Sequence, residues 1–414
     1  MSTTLSQNHS SDRIEIIDAL RGFALLGIII AHMTEQFYAG MPPEKYPEVS
    51  SLADSIVSGI VAILIMGKFY MIFSFLFGLS FYIQFSKAKS DLPFVLKFSW
   101  RLILLFIIGL IHHIHYRGDI LTIYAMLGFG LLLTYRLPDK YLLLLGILLV
   151  IDLPAIITRM TGLITGDNSL NDFIRPDQSI LVSYYETFKS GAYIDLIKAN
   201  LSDFKTKMMF QVWSGRLYMT FGLFLLGYYA GKQNFFHELQ NRIPFIKKLM
   251  RISLWSLLGV VVTGAAVMIT GNALTGGMSE DANIGIGISF ADIANACLAT
   301  LYVCWFILLF QKDTWRDRLM IFYAAGRMGL TTYLLQAVFG LFVYSTLGLG
   351  LLGELGKANS FLLAILFFTF QLWISKVWLT HFQYGPVEWV WRCLTNLKLH
   401  ALTKPVSKLE RQVA

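Results

Sequence analysis

Residues 98–135 read FSWRLILLFIIGLIHHIHYRGDILTIYAMLGFGLLLTY. Two apolar runs flank one charged turn, Arg117-Gly118-Asp119. A helix needs roughly 20 apolar residues to cross about 30 Å of hydrocarbon, and these runs approach that length. Lipid offers no partner to a bare backbone N–H or C=O, so such runs cross as helices. Working outward from this hairpin, comparable stretches fall at 16–33, 68–85, 141–158, 213–230, 252–269, 290–310, 319–347 and 360–379. The run at 319–347 is long enough to tilt. A weaker stretch from Ser51 to Met66 reads as re-entrant or interfacial. The expected fold is an all-α polytopic transmembrane bundle of about ten helices.

Composition agrees. Of 414 residues 56% are hydrophobic and 14% charged, whereas a soluble domain carries about 25% charged residues. The net charge of +8 sits at helix ends, as the positive-inside rule expects, so no nucleic-acid partner is implied. Cys297, Cys304 and Cys393 show no CxxC spacing, which points to neither a disulfide framework nor a metal site. No small-residue cleavage motif follows the first apolar segment, so it reads as a retained helix.

Loop charges orient the bundle. Lys87 and Lys97, Arg136 and Lys140, Lys232 through Arg251, Lys312 through Arg318, and Lys376 through Lys404 follow even-numbered helices. Glu35, Glu44, Asp54, Glu280 and Asp281 follow odd-numbered ones. Both termini are therefore expected in the cytoplasm. The chain divides into a tail at 1–15, a bundle at 16–158, an extracytoplasmic insert at 159–212, a second bundle at 213–380 and an interfacial segment and tail at 381–414. The insert carries Tyr184, Tyr185, Phe188 and Tyr193, a pattern suited to amphipathic helices over the outer mouth.

Ionisable residues at membrane depth are costly and point to function. Asp18 and Arg21 stand three apart on a helix and can pair, either contacting an anion near the cytoplasmic face or snorkelling to the interface. His32 follows Arg21 by about three turns and shares its face. His112, His113, His115, Tyr116 and Asp119 form the densest cluster. Histidine is the usual base near neutral pH and a carboxylate can orient it. No third ligand suits a metal, and an interfacial His-Tyr belt is the structural alternative. Lys68 either snorkels or meets the Asp119 turn. Arg327, between Gly326 and Gly329, suggests an anion contact, and Gln336 an interhelical hydrogen bond. Glu388 and Arg392 have the spacing of an i,i+4 pair in an interfacial helix.

The segments at 18–22, 68–78, 118–121, 326–336 and 384–392, in this order, resemble the YeiB-like family of bacterial membrane proteins. The likeness covers nearly the whole chain outside the insert. It implies a multi-pass protein of the bacterial cell (inner) membrane. It also implies a distant similarity to transmembrane acyltransferases such as heparan-α-glucosaminide N-acetyltransferase, which carry an acyl group from cytoplasmic acyl-CoA to an acceptor on the other side. On that resemblance the donor is acyl-CoA (acetyl-CoA), with Arg21, Arg327 and Asp18 at its phosphates. His112 or His113 is then the base oriented by Asp119, and Tyr116 or Lys68 polarises the acyl carbonyl. The expected partners are membrane lipids and a small-molecule acceptor. GxxxG-like faces admit a homodimer without establishing one. A transporter or binder of a lipid or small molecule is the main alternative, and an envelope sensor a third.

Overall fold

The computed structural model describes residues 14–404 except 41, 47–49, 89–90, 166–176 and 238. Residues 1–13 of the first expected tail, 405–414 of the expected C-terminal segment and 166–176 of the expected insert lie outside the described residues. Apart from an isolated bridge between Phe382 and Thr403, the described regular structure is helical.

Six helices have the length and apolarity to cross a membrane: Glu15–Thr34, Leu52–Phe85, Leu92–His113, Leu239–Thr275, Glu280–Phe310 and Lys357–His381. A seventh span exists if Asp139–Val150 and Leu153–Thr165, bent by 44° at Asp152, count as one. The apolar runs behind the expected ten are all helical, but Leu121–Thr134, Gly329–Tyr344 and Arg216–Lys232 are short. The stretch 51–66, expected to be a re-entrant or interfacial helix, forms the helix Leu52–Leu64 and leads directly into Phe69–Phe85, the two together having the length and apolarity of one span. The visible part of the insert forms Gln178–Ser190, Tyr193–Ser202 and Phe204–Trp213. Arg159, placed in that insert by the sequence reading, belongs to the bent span.

The run at 319–347 corrects the expectation of one tilted helix. It breaks into Asp313–Leu319, a 3-10 turn Met320–Phe322, Tyr323–Arg327 and Gly329–Tyr344. The cause is a backbone crossing. A Cβ on Gly326 would strike the Asp18 carbonyl, and one on Gly22 would strike the Phe322 carbonyl. Only glycines allow helices this close. Glu388 satisfies the new helix start, accepting from Leu330 N at 2.7 Å, Thr331 N at 3.0 Å and the Thr331 hydroxyl at 2.5 Å. Glu388 therefore caps a helix instead of pairing with Arg392, which donates to the Tyr384 hydroxyl at 2.8 Å.

The core is aromatic. Phe69–Phe85 lies on Arg216–Lys232 through reciprocal glycines: a Cβ on Gly78 would meet the Phe224 carbonyl, and one on Gly227 the Phe75 carbonyl. Leu239–Thr275 packs along Glu280–Phe310 and leaves Trp255, Val262 and Ile269 exposed, an apolar face suited to lipid.

Candidate functional site

The Gly22–Gly326 crossing brings Arg21 and Arg327 to one end of a cavity of about 510 Å³, within the roughly 300–1,000 Å³ of small-molecule sites. Arg101 and Arg392 line the same end. Arg21 pairs with Asp18 at 2.7 Å and donates to the Gly326 carbonyl at 3.3 Å and Ser80 at 3.2 Å. Arg327 donates to the Gln383 carbonyl at 3.0 Å, while its Nε is buried and has no partner. Arg101 stacks on Trp391 at 4.4 Å. Four guanidinium groups from four helices thus surround one mouth, a composition suited to phosphate or carboxylate.

The cavity extends to His32, Glu35, Asp119 and Arg216. Arg21 and His32 are eleven positions apart on one helix, so the two ends are separated by about 16 Å at 1.5 Å per residue. The shared face read from the sequence is a shared cavity wall.

Asp119 organises this second end. Its carboxylate accepts from His112 Nδ1 at 2.9 Å, Leu121 N at 3.0 Å, Thr122 N at 3.0 Å and the Thr122 hydroxyl at 2.6 Å. Lys207 donates to it at 3.1 Å and to the Thr122 hydroxyl at 2.9 Å. Burial alone would raise the Asp119 pKa, but the His112 hydrogen bond and the Lys207 charge hold it below the usual carboxylate range. Burial lowers the Lys207 pKa, opposed by Asp119. With Nδ1–H given to Asp119, the His112 Nε2 is an acceptor, and it is buried without a partner.

The structure separates the histidines. His112 belongs to the Asp119 pair and packs against Tyr333 at 5.1 Å and Tyr116 at 5.7 Å between ring centres. His113 donates through Nε2 to the Asn200 carbonyl at 2.8 Å and receives Lys207 at Nδ1 at 3.4 Å, so it fastens the outer helices to the bundle. His115 is half-buried and meets the Tyr193 hydroxyl at 2.7 Å. The imidazole that lines the cavity is His32, ringed by Tyr116 and Tyr333 at 5.4 and 6.4 Å. His112 stands behind that layer.

Lys68 does not join the site. It is buried and donates to the Ala62 carbonyl at 2.9 Å, satisfying the break before Phe69–Phe85. The cation on Asp119 is Lys207, 88 residues away in sequence and visible to no local pattern. Tyr116 is buried between His32 and His112 and is not a cavity-lining group. Gln336 donates to the Leu25 carbonyl and to Gln371, each at 3.2 Å, so it joins helices as expected. Among the described residues no group of three or more His, Cys, Asp or Glu could hold a metal.

Residues 230–398 match the family model described as "Protein of unknown function (DUF418)". The chain is 27% identical to "Uncharacterized protein YxaH" of Bacillus subtilis (strain 168), over 97% of this chain and 99% of that protein. It is 27% identical to the "Uncharacterized 39.9 kDa protein in amylase 3'region" of Bacillus acidopullulyticus, over 95% of this chain and 97% of that one. It is 25% identical to "Uncharacterized protein YeiB" of Escherichia coli (strain K12), over 97% of this chain and 100% of that protein. No solved structure matches it. These alignments run almost end to end, and by them the chain is similar to YeiB and its relatives over nearly its whole length.

Proposed function

We propose that this protein is an acyltransferase of the bacterial inner membrane with ten transmembrane helices and both termini in the cytoplasm. It moves an acyl group, with acetyl as the simplest case, from cytoplasmic acyl-CoA to a small acceptor on the other side. The observation that carries this reading is one continuous cavity with arginines at one end and an imidazole and a carboxylate at the other. Arg21 and Arg327 hold CoA phosphates, aided by Arg101 and Arg392. The acyl thioester reaches toward His32. The acceptor N–H or O–H loses its proton to His32 as it attacks the thioester carbonyl. The C–S bond breaks, and the thiolate leaves and is protonated to free CoA. His32 touches the acceptor. His112 and Asp119 act behind it as a positioning pair, which revises the base expected from the resemblance from His112 or His113 to His32.

A transporter would use the same cavity. Acyl transfer is favoured by the Asp119–His112 pair with its open Nε2, an arrangement that transport of a ligand does not need. Calorimetric titration of acetyl-CoA into purified protein, with acetate and free CoA as controls, tests the donor site. Saturable binding weakened about tenfold or more in Arg21→Ala and Arg327→Ala supports it, because each lost charge-assisted contact costs about 1.5–3 kcal/mol. Undiminished binding in both variants rules out the arginine mouth.

A further inference from the structure

The His32 end carries two charged groups with unused bonding capacity. Glu35 caps the helix Glu15–Thr34, one turn after His32. It lines the large cavity and also a second one of about 210 Å³, bounded by Tyr38, Pro42 and Tyr185. Met66 is likewise shared, so the two cavities adjoin there. Arg216 opens the helix Arg216–Lys232, lines the large cavity and is exposed. Among the described residues neither side chain makes a hydrogen bond or an ion pair. Arg216 rests only on the Phe210 ring, at 5.4 Å. Asp119, the other carboxylate here, already accepts from His112, two backbone N–H groups, Thr122 and Lys207.

Burial lifts the Glu35 pKa and the charges of Arg216 and Lys357 oppose that lift, so the acid and the guanidinium sense one another without touching. Arg216 also bears on Asp292, while the donors of Arg216 and the lone pairs of Glu35 make no hydrogen bond within the described residues. A ligand with only an anion would satisfy Arg216 and leave Glu35 bare, and a simple amine would do the reverse. A charge-assisted hydrogen bond is roughly twice as strong as a neutral one, so satisfying both groups is the arrangement of lowest free energy.

We infer that the His32 end of the cavity binds a zwitterion: an ammonium group at Glu35 and a phosphate or carboxylate at Arg216. The inference deepens the acyltransfer reading by naming the acceptor class, and rests on that reading for what happens to the ligand after binding. The ammonium, having passed one proton to the Glu35 carboxylate, is then the amine that His32 faces.

The probes are phosphoethanolamine, ethanolamine and inorganic phosphate, titrated into the purified full-length protein. Phosphoethanolamine is expected to bind at least about tenfold more tightly than either half, from one added charged contact. Glu35→Gln should reduce it to the level of phosphate, and Arg216→Gln to the level of ethanolamine. Glu35→Gln removes a charge, Arg216→Gln also gives up the contact with the Phe210 ring, and unchanged melting temperatures check their folding. Should either variant melt early, the preference of the wild-type protein among the three probes still decides the matter. Equal affinities, no binding of any probe, or a preference that survives both substitutions overturns the inference. Repeating the titration in phosphatidylglycerol nanodiscs with and without phosphatidylethanolamine assigns the source. Competition by the lipid identifies a headgroup, and its absence a soluble zwitterion; both outcomes support the inference. Failure of acetyl-CoA to bind at the arginine mouth, with zwitterion binding intact, would remove the acyltransfer reading alone.

Discussion

At the scale of single residues, Asp119 and His32 have different duties. Asp119 is saturated by five donors and makes the turn between two helices rigid. Its folded-state pKa lies below the unfolded value of about 3.9. Its contribution to stability is therefore complete above that unfolded value and is lost as pH falls through the folded one. Asp119→Asn leaves Lys207 buried without its counter-charge, at a cost of about 3–5 kcal/mol. The difference in melting temperature between wild type and Asp119→Asn is predicted to be large at neutral pH and to shrink toward strongly acid pH. A gap independent of pH would show that the carboxylate charge is not the stabilising feature. His32 carries no hydrogen bond to hold the fold, so His32→Ala should fold normally and lose turnover by about a hundredfold or more, the usual contribution of a general base. His112→Ala should lose less, and its pH–rate profile should shift, because it acts through the layer in front of it. Equal losses with unshifted profiles would return His112 to direct contact. The sequence made the Asp119–His112 pair legible, since the two are seven residues apart across one turn. It could not reveal Lys207, whose partner is 88 residues distant, and it drew Lys68 into the site only because both lie near the same end.

At the scale of elements, the decisive feature is the crossing of Glu15–Thr34 over the broken segment before Gly329–Tyr344. Gly326→Ala pushes a methyl group into the Asp18 carbonyl, which must separate the helices carrying Arg21 and Arg327. Overpacking of this kind costs about 1–3 kcal/mol. We predict that Gly326→Ala lowers the melting temperature and weakens acetyl-CoA binding although all four arginines remain. At Gly259 an added Cβ would meet nothing within 4 Å, so Gly259→Ala is the control and should bind as wild type does. Similar binding in both variants would show that the crossing does not set the arginine spacing. Apolar runs located nearly every helix in the sequence, because burial in lipid demands them. The break at Met328 escaped notice because it arises from the approach of a distant backbone. Glu388 was read as a local i,i+4 partner for the same reason, and it serves a helix start 58 residues away in the chain.

At the scale of the whole molecule, short helices and long ones surround a cavity whose ends differ in chemistry. Six or seven helices span by length alone. The shorter apolar helices Leu121–Thr134 and Gly329–Tyr344 reach the cavity from Asp119 and from Leu330 and Tyr333. Serial hydrophobicity made the membrane bundle legible at once. The joining of two remote charge clusters into one cavity was not, since it depends on how the helices cross. The measurement that tests the central claim most directly uses sealed membrane vesicles containing the protein. Acetyl-CoA radiolabelled in its acetyl group is supplied only at the cytoplasmic face, and label is followed in the opposite compartment. The account predicts that label appears there on compounds other than CoA, that free CoA accumulates on the donor side, and that His32→Ala abolishes both. Intact acetyl-CoA crossing the membrane, or no label crossing while the Arg21 mouth still binds donor, would contradict it.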